Sequence, residues 1–310
     1  MNKSELNKII KKESEKLGFN YVGFTAPDNQ NNSYLDKWLD LKYHASMNWI
    51  NTSKDKRKDI YKYFPEVKTI ISFAYNYYTG SNDNENSKYK ISNYSLGDDY
   101  HDVIKKKLYQ IITKINKYNE NFKYKVCVDT APVMEKYWAQ KSGLGWIGKH
   151  TNLINRNIGS WFFISEILLD FELEYDDPFI EDLCGTCNRC IESCPTDAIV
   201  DEYVLDANKC ISYLTIEHRG DFPEQYKDNL DNWIYGCDIC QDVCPWNKKF
   251  SLISDDENFL IRDRIKNKSN SEWENLSIEE YQKTFKKSAI KRTKYEGLKR
   301  NISANKTVKN

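Results

Sequence analysis

Eight of the nine cysteines in this chain of 310 residues fall between positions 184 and 244, and no other feature narrows the possible folds so far. The stretch CGTCNRCIESCP, residues 184–195, holds Cys184, Cys187, Cys190 and Cys194 and closes on Pro195. Cys210, Cys237, Cys240 and Cys244 follow, again with a proline, Pro245, after the last. An odd count argues against a disulfide framework. The start, MNKSELNKIIKKESEK, has no apolar secretion core, and no apolar run reaches the length of a membrane span. The chain reads as cytoplasmic, where thiols stay reduced and cysteine clusters act as metal ligands or catalytic groups. Only Cys127 fits an ordinary buried cysteine.

The first group has the spacing C-x2-C-x2-C-x3-C-P, the run that binds 4Fe-4S clusters in bacterial two-cluster ferredoxins. Two-residue gaps let three thiolates of one tight loop reach three irons of one cube, while the fourth, redirected by the proline, serves the other cube. Cys184, Cys187, Cys190 and Cys244 are therefore assigned to one cluster, and Cys194, Cys210, Cys237 and Cys240 to the second. Zinc is the alternative, because four-thiolate sites also use C-x2-C pairs. The third cysteine at the same interval and the two prolines favour iron and sulfur. Two clusters this close form an electron relay, which needs an acceptor.

The residues ahead of position 184 must supply it. A hydrophobic content of 40% and an aromatic content of 14% mark a folded chain. A helix with Ser4 as cap and Leu6, Ile9, Ile10 and Leu17 on one face leads into a strand at YVGFTAP. VKTIISFAY, 67–75, reads as a strand and TGSNDNENSKYK as a surface loop. Ile104, Leu108, Ile111, Ile112 and Ile115 recur at helical spacing between Asp99 and Tyr118, with Lys105, Lys106 and Lys107 facing out. KYKVCVD, 123–129, is a strand ending on Asp129, followed by a helix capped by Thr130 and stopped by Gly143. TNLINRNIGSWFFISEILLDFEL reads as a hairpin turning near 157–159. Strands interleaved with helices make 1–175 an α/β (α+β) layered domain, with a ferredoxin-like module at 176–250 and a helical tail at 251–310. Neither G-x-G-x-x-G after a strand nor a P-loop is present, so dinucleotide and nucleoside-triphosphate sites lack support.

Formal charge is zero, but from Lys283 to the end eight Lys and two Arg stand against Glu296, so the tail carries +9 and the remainder −9. Such a tail suits a polyanion, most simply nucleic acid, the bland alternative being a solvated, frayed end.

The stretches DYHDVIKKKL, VDTAPVMEKYWAQKSGLGWIGKHTNLI, GSWFFISEILL, CGTCNRCIESCPTDAI, LDANKCISYLTIEHRGDFP and IYGCDICQDVCPWN resemble, in order and spacing, the epoxyqueuosine reductase family. The resemblance implies a cobalamin-dependent iron–sulfur enzyme that reduces the epoxide of epoxyqueuosine in a tRNA anticodon to queuosine. It also implies a cobalamin domain similar to that of reductive dehalogenases, occupying 1–175 and holding a cavity of tetrapyrrole size. Removing the epoxide oxygen as water takes two electrons and two protons. The resemblance makes Asp129 the acid, kept protonated by burial that raises its pKa; by the residues alone Asp129 reads as a helix cap. It implies cobalamin contacts at Lys149, Asn152, Ser212, Cys237 and Asp238, and Lys149 otherwise reads as a surface cation. It places Tyr213, His218 and Arg219 near the substrate loop, with Arg292, Lys299 and Arg300 on phosphates. DYH lacks the glycine of D-x-H-x-x-G, since position 104 is Ile, so His101 reads as a structural or tail-anchoring residue and not a cobalt ligand.

Thr52, where the family commonly has arginine, and Asp98, where it has a basic residue, depart from the pattern and leave the contacts of the first 100 residues open. Members that continue with helical repeats would grip RNA more broadly. The implied partners are tRNA and an external electron donor, with no membrane, in a monomer. A reductive dehalogenase relative is a second enzyme reading, weakened by the missing export signal and the basic tail. A non-enzymatic electron-transfer or RNA-binding protein is a third, which predicts no corrinoid binding and indifference to Asp129→Ala.

Overall fold

A computed structural model describes residues 2–28, 33–80, 86–227 and 230–306. Its centre is a four-stranded sheet. The strands of the amino-terminal part are β1 (Tyr21–Thr25), β2 (Thr69–Asn76), β3 (Lys90–Ile91), β4 (Tyr124–Cys127), β5 (Trp146–Ile147), β6 (Leu153–Ile154) and β7 (Phe162–Leu169). The main sheet has the order β1-β2-β7-β4, and every pairing in it is antiparallel. All eight residues of β2 are buried, because helices cover both faces. Side chains alternate across a strand. Ile71, Phe73, Tyr75, Ile167 and Leu169 therefore meet the Lys3–Lys16 and Tyr100–Asn116 helices, while Ile70 and Leu168 meet Trp138 of the Glu135–Lys141 helix and Cys127.

Several local expectations shift. Asn2, not Ser4, caps the first helix: its side chain accepts from the Glu5 amide while Glu5 reaches back, closing a capping box. The helix after β4 starts at Glu135 with no side-chain cap, so Thr130 does not cap it. The 151–173 stretch makes no long hairpin. Only an Asn155–Gly159 bridge closes the turn, while β6 pairs with β5 and β7 enters the main sheet. Lys107 turns inward, donating to the Leu17 carbonyl at 2.9 Å and facing Asp256 at 3.4 Å. Of the loop expected after Tyr78, residues 81–85 lie outside the described residues.

The cysteine module is built of short pieces: helices Arg189–Glu192, Ile211–Ile216 and Ile239–Asp242, and a two-stranded turn of β8 (Ile199–Asp201) and β9 (Val204–Leu205). Pro245 starts the Pro245–Phe250 helix, where its missing N–H costs nothing. The tail is packed, not frayed, through Lys306. Ile265, Trp273, Phe285, Leu298 and Ile302 form a second core with Ile91, Leu96 and Tyr235. That core sits on β10 (Trp233–Tyr235), which pairs parallel with β3 and feeds directly into Cys237. Residues 307–310, the end of the basic tail, lie outside the described residues.

Candidate active site

A cleft opens between the main sheet and the cysteine module. Tyr77, Tyr94, Tyr100, Phe162 and Phe163 make one apolar wall; Asp129, Glu135, Lys136, Asn152, Ser160 and Gln241 supply polar groups. Its volume is about 270 Å³, or about 820 Å³ with its open mouth included.

Asp129 reaches the cleft because the chain turns sharply after β4. Its φ is +57°, in the left-handed region that Asp tolerates better than most residues. The turn is held by its amide, which donates to Glu135 Oε1 at 2.6 Å. The side chain is 59% exposed, and the exposed side faces the cleft. Asp129 Oδ2 lies 3.2 Å from His101 Nε2, and His101 Nδ1 lies 2.7 Å from Asp99 Oδ1. Asp99 caps the Tyr100–Asn116 helix, so the cap that starts the helix also fixes the imidazole.

The charges in this corner are not those expected of a protonated aspartic acid. Enclosure by the cleft walls would by itself raise the Asp129 pKa although one face of the carboxyl is open, but the hydrogen bond and charge of His101, with Tyr100 and Arg57 behind them, hold it below its ordinary value. Burial alone would lower His101, but Asp129 and Asp99 outweigh it and push it up to about 9. Glu135 is pushed up to about 8, first by burial and then by the negative charge of Asp129. These directions favour the charged form of Asp129 and the protonated forms of His101 and Glu135. Lys136 donates to the Thr151 carbonyl at 2.8 Å.

The cysteines adjoin the cleft. Gln241, one residue past Cys240, donates to the Ser160 carbonyl at 3.1 Å and hydroxyl at 2.9 Å. The thiols lie close enough to influence one another: Cys190 senses Cys184 and Cys244, Cys244 senses Cys184 and Cys187, Cys237 senses Cys240 and Cys210, and Cys240 senses Cys210, Cys190 and Cys194, which joins the two ends of the module. Burial is the largest cause that raises these thiols, so the thiolates become stable only against a cation. Among the described residues no three Cys, His, Asp or Glu converge on one ion-sized point. The thiols share neighbourhood, not a preformed single-ion cage.

Of the residues expected to touch cobalamin, Asn152 and Asp129 line the cleft. Lys149 does not: it is buried, paired with Glu202 at 2.7 Å and donating to Asn188 at 3.0 Å between Cys187 and Cys190. It braces the first cysteine loop. Asp238 is buried and bonded to the Ser92 hydroxyl, to the Asn93 amide at 2.7 Å and to Asn93 Nδ2 at 2.9 Å, which ties the module to β3. Ser212 sits half-buried in the Ile211–Ile216 helix, outside the cleft lining.

The expected RNA contacts divide. His218, Arg219, Arg292 and Arg300 gather around one loop: Arg219 donates to the Arg292 carbonyl at 2.9 Å, and Arg300 donates to the carbonyls of His218, at 3.0 Å, and Gly220, at 2.8 Å. Arg292 pairs with Glu217 at 2.8 Å and lies over the Trp49 ring. Tyr213 is buried beneath that loop, its ring edge-on to His218 and its hydroxyl on Ser46, while Lys299 donates to the Glu274 carbonyl, away from the loop. Sequence reasoning missed Tyr100, Glu135 and Lys136, although all three stand in quoted stretches, Tyr100 in DYHDVIKKKL and the other two in VDTAPVMEKYW. It set His101 aside after testing only the role of cobalt ligand.

This combination, a double-cluster thiol module opening on an acid-lined cleft, defines an iron–sulfur oxidoreductase. Residues 183–247 match the family model of the 4Fe-4S double cluster binding domain, and residues 57–130 that of epoxyqueuosine reductase QueG, DUF1730. The epoxyqueuosine reductase of Cyclobacterium marinum is 44% identical over 95% of this chain and 94% of its own length. That of Leadbetterella byssophila is 45% identical over 98% and 99%. A crystal structure of epoxyqueuosine reductase with a tRNA-Tyr epoxyqueuosine-modified stem loop superposes with a TM-score of 0.89 at 26% identity, covering 98% of this chain and 81% of that one. The chain belongs to the epoxyqueuosine reductase family, enzymes that reduce an epoxide in tRNA modification, and it carries two 4Fe-4S clusters.

Proposed function

We propose that the cleft seats cobalamin and receives the epoxyqueuosine base of a tRNA anticodon, with Asp129 as the group that hands a proton to the departing oxygen. The observation that carries this reading is the meeting, in one open cleft, of the Asp129 corner and the Cys240 end of the thiol module. Cobalamin, when bound, supplies a low-potential cobalt for two-electron reduction. The lining suits a flat macrocycle with amide arms: an aromatic wall, with Asn152, Ser160 and Gln241 as hydrogen-bonding groups. The cleft, at about 270 Å³ and about 820 Å³ with its mouth, is smaller than the tetrapyrrole-sized cavity that the resemblance implies, so a corrin held by Asn152, Ser160 and Gln241 would also occupy the open mouth.

In this reading Cys184, Cys187, Cys190 and Cys244 hold one cluster, and Cys194, Cys210, Cys237 and Cys240, nearer the cleft, hold the other. An external donor feeds the relay. The loop at 216–222, with Arg219 and Arg292, receives the RNA backbone, while Arg300 shapes the loop from within. The enzyme works as a monomer in the cytoplasm, where its tRNA is found. Among the described residues no helix is long and apolar enough to cross a membrane.

The test is turnover. Anaerobically reconstituted protein with cobalamin and a low-potential reductant converts epoxyqueuosine in a tRNA stem loop to queuosine, read by nucleoside mass spectrometry. Absence of product from protein with full iron content rejects the reading.

A further inference from the structure

Epoxide reduction consumes two protons, and the carboxylate expected to deliver one is held in its charged form. We propose that His101 is the proton store behind Asp129: its imidazolium passes Nε2–H to Asp129 Oδ2, Asp129 passes that proton to the epoxide oxygen, and Asp99 keeps Nδ1–H in place. The inference rests on the reductase reading of the cleft and assigns its acid.

The geometry is that of a carboxylate–imidazole–carboxylate chain. The outer contact is 2.7 Å and the inner contact 3.2 Å, and the inner carboxylate opens on the cleft. The Tyr100 ring stacks on the imidazole with centroids 4.0 Å apart and blocks rotation. With one carboxylate at each nitrogen, the ring carries both protons at rest, because the two anions outweigh the cost of partial burial. The charged and titratable groups around it are Asp99, Asp129 and Tyr100, with Glu135, Arg57, Lys136, Arg292 and Tyr94 beyond Asp129. Asp99 plays the part that the buried acid plays in a hydrolase triad: it fixes the tautomer and does not itself transfer the proton.

The balance over one turnover is as follows. The substrate takes two electrons from the cluster relay, both C–O bonds break, a C=C bond forms, and oxygen leaves as water. One proton comes by the chain: the Nε2–H bond of His101 breaks, an O–H bond forms on Asp129, and that bond breaks as the substrate O–H forms. The other proton comes from water. His101 is left neutral, still donating Nδ1–H to Asp99, and regains its proton from water when the open cleft empties.

Two readouts separate this role from a structural one. Nitrogen-15 NMR of cluster-loaded, corrin-free protein reports the state of His101, one of only four histidines, assigned by its loss in His101→Gln. The expected result is an imidazolium at pH 7.5 that loses its charge at lower pH in Asp99→Asn and Asp129→Asn. In turnover, His101→Gln lowers kcat on the order of 100-fold, with KM little changed. Added imidazole restores part of the rate to His101→Ala, with iron content intact. A neutral His101 at pH 7.5 in the wild-type protein, or wild-type kcat and pH profile in His101→Gln, overturns the proton store while leaving the reductase reading standing. No turnover by wild-type protein overturns that reading, and the store falls with it.

Discussion

The two sides of the cleft are built in opposite ways. The cysteine side comes from a segment of about sixty residues whose spacing states its chemistry. The acid side is assembled from Arg57 of the Lys54–Lys58 helix, Asp99 and His101 at the start of the Tyr100–Asn116 helix, Asp129 in the turn after β4 and Glu135 of the Glu135–Lys141 helix, four pieces that meet only in the folded chain. A ligand set for a metal cluster must be dense, because thiolates a few ångströms apart are most readily supplied by one loop. A proton site needs only a few contacts and an environment, and environment is a property of the fold.

The sharpest way to break this contrast is to remove one thiolate. Under the proposed ligand sets, Cys240→Ala should cut the iron content by about half and abolish turnover; iron analysis and nucleoside mass spectrometry check both. If iron stays full, the crosswise ligand sets are wrong. Asp129→Asn should leave iron unchanged and lower turnover by about 100- to 10,000-fold, the usual range for a lost acid. A similar loss of iron in that variant would mean that the two sides are not separable.

The tail supplies a control for stability. Trp273 is buried in the second core, and Trp273→Ala should cost about 3–5 kcal/mol. Chemical denaturation would measure it, with iron content unchanged in the native baseline.

pH offers a finer test of the acid side. Glu135 takes up its proton at about 8 when folded, against an ordinary value of 4.5. The folded protein therefore binds more protons than the unfolded chain across that interval, and this contribution to stability is lost as pH rises through about 8. His101, raised to about 9, acts in the same direction at the alkaline end. Glu135→Gln should flatten the decline in thermal midpoint between pH 5 and 8, and an unchanged slope would remove Glu135 as a proton holder. The smallest effect belongs to Arg292. Already paired with Glu217, it should lose RNA affinity only a few-fold on change to Ala, with the salt slope of binding reduced by about one.

Legibility followed the same divide. The double-cluster cysteine spacing, the long helix and strands β1, β2 and β4 stand in the sequence because spacing and periodicity are local signals, whereas β7 reads there as one arm of a hairpin. The capping of the first helix by Asn2 was missed by two residues, since Ser4 offers the same side-chain chemistry. Lys149 looked like a ligand-binding cation and turned out to brace the Cys187–Cys190 loop through Asn188. His101 carried no signal of its role, because its partner Asp129 lies 28 residues away and becomes a neighbour only through tertiary packing.

The central claim, that the second cluster feeds a corrin seated against Asp129, is tested most directly by electron paramagnetic resonance of partly reduced protein containing cob(II)alamin. The account predicts a cobalt signal broadened by coupling to a reduced cluster, with the coupling abolished in Cys240→Ala. A cobalt signal identical to that of free cob(II)alamin, in protein with full iron content, would contradict it.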